Sequence, residues 1–206
     1  MKASERYFYL TGVAAVLILA VAGYIYINLD LHEYKHEVVR GGISFVSNEA
    51  PPADLLAGLK SYPSFIISPQ FVKQGPENSY MAMSITMFNA VLAAKKVKSI
   101  DVARIVDSKG SLMECQSNLG DVKTNKTLQP DECNKLISDA TSARVFIDLP
   151  DTRLPAPKVV LEKGVVRIYP SSYESVSGVS FAVLNALYSD AESIISRVNY
   201  AVRNVK

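Results

Sequence analysis

Apolar positions run without a charge from residue 7 to residue 29, YFYLTGVAAVLILAVAGYIYINL. A helix needs about 20 apolar residues to cross a bilayer core, so this run predicts a transmembrane helix. Tyr7, Tyr9, Tyr24 and Tyr26 stand toward its two ends, where aromatic rings favour the lipid–water interface. Ala20-Val21-Ala22 before Gly23 has the spacing of a signal-peptide cleavage site. The apolar run continues past it through residues 24–27, longer than a signal-peptide core, and this favours a retained signal anchor. Residues 1–6 then form a short N-terminal tail. Residues 30–42 read as a charged juxtamembrane stalk continuing the helix, with Gly41 and Gly42 at its junction with a domain over residues 43–206.

Within that domain short apolar runs alternate with helical patterns. Residues 43–46 predict a strand ending at Ser47 and Asn48. Pro51 and Pro52 can open a helix carrying Leu55, Leu56 and Leu59 on one side, since proline is tolerated in a first helical turn. Residues 65–67 predict a strand closed by Ser68 and Pro69. Over residues 78–97, Met83, Met87, Ala90, Val91 and Ala94 recur at steps of three and four and predict a helix with those residues on its core face. Residues 100–106 predict a strand ending at Asp107, and Pro130 opens a short helix through Leu136 and Ile137. Residues 144–147 predict a strand followed by Asp148, Leu149, Pro150 and Asp151. Two β-branched runs, residues 158–161 and 165–169, flank Gly164 and predict a hairpin. Ser171 and Glu174 have capping-box spacing and open a long C-terminal helix, or two helices broken near Ser189 and Asp190. The fold class is therefore α/β: a transmembrane helix, then one domain with a mixed, mainly parallel sheet, a hairpin at one side and a long C-terminal helix.

Composition narrows the partners. The 206-residue chain has 22 Lys+Arg against 20 Asp+Glu. That near balance, without a basic stripe, argues against a nucleic-acid partner. The run Lys95-Lys96-Val97-Lys98 follows a helical pattern and complements the negative end of a helix dipole. Lys2 and Arg6 before the apolar run are matched by Lys35 and Arg40 after it, so positive charges do not decide its orientation. The cysteines do lean one way. Cys115 and Cys133 form an even pair separated by a loop-like stretch, which fits a disulfide in an oxidising compartment. The sequon at Asn125 falls in the same stretch. The domain is accordingly expected on the extracytoplasmic side of a membrane.

One short pattern points to catalysis. His32-Glu33-Tyr34-Lys35-His36 fits His-Glu-x-x-His and resembles the zinc-binding pattern of zincin peptidases. In that family a helix presents the two histidines to one zinc and the glutamate acts as general base. Here the pattern lies beside the apolar run, with Lys35 inside it, Glu37 after it and no apolar face to bury. It is read as fortuitous. No histidine lies within residues 43–206, so a Ser-His-acid triad cannot be built there. Glycine-rich phosphate-binding motifs are absent from the sequence, and no cofactor is assigned.

A weaker constellation sits at strand ends, where open α/β sheets bind ligands. Glu49, Asp107, Asp148 and Asp151, joined by Asn48, Ser68 and Gln70, are expected to converge on an acidic crevice able to hold a divalent cation or a hydroxylated ligand. The function these observations favour is a single-pass, membrane-anchored binding or accessory protein of an envelope assembly, non-catalytic, with the C-terminal helix as the surface for a protein partner. The alternative is a membrane-tethered, metal-dependent hydrolase that uses the acidic crevice.

Overall fold

The computed structural model describes residues 17–19, 34–72, 75, 78–107, 109–118 and 126–204, with side chains as far as residue 197. The chain divides into two compact units, Met1–Glu33 and Tyr34–Lys206. Apart from Leu17, Ile18 and Leu19, which are helical and exposed, the expected transmembrane helix lies outside the described residues. No helix among the described residues is long and apolar enough to cross a membrane.

The second unit is an α/β fold on a nine-stranded mixed sheet. Its elements in chain order are β1 (His36–Arg40), β2 (Ile43–Ser47), α1 (Pro52–Leu59), β3 (Ser64–Val72), α2 (Asn78–Ala94), β4 (Lys98–Val106), β5 (Leu112–Asn118), β6 (Lys126–Leu128), α3 (Pro130–Ile137), β7 (Ala143–Ile147), β8 (Lys158–Glu162), β9 (Val165–Tyr169), α4 (Tyr173–Leu187) and α5 (Ala191–Asn204). The strands lie in the order β1-β2-β8-β9-β7-β3-β4-β5-β6.

The expected stalk helix is corrected over residues 36–40, which form strand β1. Gly41 and Gly42 are the turn of a β1–β2 hairpin, not a junction. Both have positive φ, 57° and 76°, the backbone of a two-residue turn that matches strand twist and that glycine enters without strain.

The sheet is less parallel than the alternation of elements implied. Pairs β2–β8, β3–β4, β3–β7 and β7–β9 are parallel, while β1–β2, β4–β5, β5–β6 and β8–β9 are antiparallel. The β8–β9 hairpin sits inside the sheet between β2 and β7, not at one side. The stretch expected as a cysteine loop contributes strands β5 and β6. Cys115 on β5 is bonded to Cys133 on α3, so the expected disulfide is present.

Two cores form on the two faces. Period-two alternation sends Phe65 and Ile67, Val145 and Ile147, Val159 and Leu161, and Val166 and Ile168 to one face, under α1, α2, α4 and α5. The opposite face has a smaller core where α3 covers the far end: Ile66, Val102, Cys115, Leu128 and Cys133. The C-terminal segment is two helices, and its cap is Ser172, which exchanges hydrogen bonds with Ser175 in place of the expected Ser171 with Glu174. The buried face of α2 is also rotated from expectation. Met81, Ser84, Phe88, Val91 and Leu92 are buried together with Met87, while Met83 and Ala94 are exposed.

Strand β3 runs through Pro69 instead of closing there. At this step proline has no N–H to give. Here Ser68 Oγ donates to the Val102 carbonyl at 3.1 Å, and Arg104 Nη2 donates to the Ser68 carbonyl at 2.9 Å. A side-chain network thus ties β3 to β4 across the proline.

Candidate functional site

The acids expected at the strand ends do not all lie at one end of the sheet. β2 is parallel to β8, and β8 is antiparallel to β9. The end of β2 therefore lies at the opposite edge of the sheet from the ends of β3, β4, β7 and β9. Glu49 sits at that opposite edge, accepting from Lys163 N at 2.8 Å in the β8–β9 turn. Asp107 closes its own turn, with Oδ1 accepting from the backbone of Lys109 and Ser111, both at 2.8 Å. It lies three residues beyond Arg104, about 10 Å along the strand. Asp151 is engaged by Arg153 through Nε and Nη2, both at 2.8 Å, and this hydrogen bonding holds its carboxyl below the usual aspartate value. Among the described residues no group of three His, Cys, Asp or Glu could hold a metal ion. His36 lies on strand β1, so the helical face of the zincin pattern is absent there; His32, Glu33 and Asn125 lie outside the described residues.

Asp148 is different. With Ser68 and Gln70 it joins a cluster on the face opposite the larger core. The registers that align Ser68 with Phe146, Phe146 with Arg167, Gln70 with Arg104 and Lys158 with Tyr169 set these side chains on neighbouring strands. Arg104 Nη2 donates to Asp148 Oδ1 at 2.9 Å, and the two side chains are only 10% and 16% exposed. Gln70 Oε1 accepts from Leu149 N at 3.1 Å and fixes the start of the chain after β7. Burial pulls the Arg104 guanidinium below the usual arginine value, and the Asp148 carboxylate opposes that. Tyr169 is raised by burial first and by Asp148 second.

Phe146 lies between two guanidinium groups. Arg104 is 5.2 Å from its ring centroid and Arg167 is 4.4 Å from it, distances at which a cation is attracted to the ring face. Lys158 on the adjoining strand stands over the rings of Tyr34 and Tyr169, at 5.3 and 6.0 Å. Arg104, Arg167 and Lys158 thus share this part of the face; Asp148 is used by Arg104, Glu162 lies on the same face of β8 and acts on Tyr169, and Asp151 is near enough to feel Lys158. Arg167 is half-buried and makes no ion pair among the described residues. The arrangement can hold an anionic group: Arg167 offers a planar, charged fork positioned by the aromatic ring beneath it.

Sequence reasoning missed Arg104, Arg167 and Phe146. The available signal was a single arginine inside each of several apolar strands, as in IDVARIV, ARVFI and VVRIY. On the other face, a concavity of about 580 Å³ lies between the start of α2 and the β3–β4–β5 surface. Phe71, Ala103 and Ile105 are among its apolar walls, and Glu114, Gln116 and Asn78 are among its polar ones. No family model, no curated protein and no solved structure matches the chain.

Proposed function

We propose that this chain is a membrane-anchored, non-catalytic binding or accessory protein of an envelope assembly, and that its domain engages an acidic segment of a protein partner through the Arg167 face of the sheet. The observation that carries the reading is Arg167 itself: a guanidinium stacked on Phe146 at 4.4 Å, with no carboxylate partner among the described residues. An incoming carboxylate supplies Arg167 with a counter-charge that its planar fork can bind through two parallel hydrogen bonds. The uncharged run over residues 7–29 supports the anchor. The Cys115–Cys133 disulfide supports placement of the domain in an oxidising compartment.

The test is titration of an oligo-glutamate peptide into the full chain held in zwitterionic lipid nanodiscs, which keeps anionic lipid out of the measurement. Binding is expected to weaken with added salt. Arg167→Glu should weaken it about tenfold or more. Arg167→Lys should fall between, because it keeps the charge but loses the planar fork over Phe146. Equal affinity in the parent chain and Arg167→Glu overturns the reading.

A further inference from the structure

Helix α2 has no Asp, Glu, Lys, Arg or His between Asn78 and Ala94, yet a carboxyl group lies beneath it. Asp101 is on β4, on the same face as Ala103 and Ile105, and Asn89 reaches it from the helix. Asn89 Nδ2 donates to Asp101 Oδ2 at 2.7 Å. The remaining oxygen of each group, Asn89 Oδ1 and Asp101 Oδ1, is buried and has no hydrogen-bond partner among the described residues. Two buried acceptors facing each other without a protein donor are unfavourable together. One proton corrects both. Carried on Asp101 Oδ1, it gives Asn89 Oδ1 the donor it lacks, and the two groups are then joined by one O–H···O and one N–H···O bond. We infer that Asp101 and Asn89 form a carboxylic acid–carboxamide pair, a proton-dependent latch that holds α2 against β4.

The surroundings offer the ionised form little help. Strand β3, which pairs Ile67 with Asp101, has no charged residue. On β5 Asn118 is opposite Asp101, and the one charged residue, Glu114, is opposite Ile105, about 13 Å along the strand. Arg104 alternates to the other face of β4. Lys96 and Lys98 are exposed, and Lys95 is held by Asp190 at 2.6 Å. On the helices packed against α2, Glu174, Glu192 and Arg197 are exposed. Burial accordingly holds the Asp101 carboxyl above the ordinary aspartate value, with the Asn89 hydrogen bond opposing it. The folded-state value exceeds that of the unfolded chain. The latch's contribution is therefore fully present below the ordinary value of 3.8 and is lost as pH rises through the raised folded value.

Asp101→Asn tests this, because a carboxamide reproduces the donor and acceptor of the protonated acid. In the full chain the variant should raise the thermal midpoint by about 2–4 °C at roughly pH 8 and leave it unchanged near pH 4. The side-chain carboxyl ¹³C signal of Asp101 in the parent chain should titrate above the ordinary aspartate range. A carboxyl midpoint at or below about 3.9 overturns the latch. So does an Asp101→Asn variant that folds but is less stable than the parent at the higher pH.

Discussion

Arg104 and Asp148 show how little a residue's own letter says about its setting. Each is a charged residue, and each is nearly buried, because the β3–β4 and β3–β7 registers bring β4 and β7 to the two sides of β3. A buried ion pair is costly to break from one side, since the survivor keeps its charge without its partner. Asp148→Ala is expected to lower stability by about 3–5 kcal/mol, read from urea unfolding. Replacing both, with Arg104→Met and Asp148→Leu together, should cost less than Asp148→Ala alone, because no orphaned charge remains. A double variant less stable than the single one would show that the pair contributes more than mutual neutralisation. The sequence pointed to Asp148 as a strand-end acid but gave no sign of its cation. An arginine at an alternate position of an apolar strand looks solvent-facing until the neighbouring strands are known.

At the level of elements, most strands and helices were legible in the apolar pattern, and the errors have physical causes. In α2 apolar residues lie on nearly every side of YMAMSITMFNAVLAA, so periodicity indicates a helix without fixing which side is inward. Packing against β3, β4, α4 and α5 decides that, and it leaves Met83 outside. Strand β1 was hidden because HEVVR is short and charged, and its burial pattern is that of an exposed sheet edge. The β8–β9 hairpin, by contrast, was readable from Gly164 between two β-branched runs. That glycine has φ 75°, and a Cβ there would meet the Tyr62 hydroxyl at 2.5 Å. Gly164→Ala should therefore lower stability by about 1–3 kcal/mol. Tyr62→Phe added to it should recover part of the loss by removing the hydroxyl contact, with the backbone strain remaining. Thermal denaturation of the three chains checks both statements, and no loss in Gly164→Ala would contradict them.

For the molecule as a whole, the α/β class and the Cys115–Cys133 bridge followed from sequence, whereas the site did not. Strand direction explains this. Glu49 was separated from the other strand-end acids because β2 and β8 run against β7 and β9, and no local pattern reveals that reversal. The bridge spans a sequence separation of 18 and joins β5 to α3, so its reduction should lower stability by about 3 kcal/mol, measured with and without reductant. In native membranes Cys115 and Cys133 should resist alkylation until reduced; free alkylation would remove the support for an oxidising compartment.

The central claim is that Arg167 and its stacked neighbours receive an acidic partner, and the arginine side-chain N–H signals observe this most directly. On adding oligo-glutamate to the ¹⁵N-labelled chain, the Nε–H resonance of Arg167 should shift saturably, and added salt should reverse the shift. An unmoved Arg167 signal at saturating peptide, or shifts confined to other parts of the domain, would contradict the account.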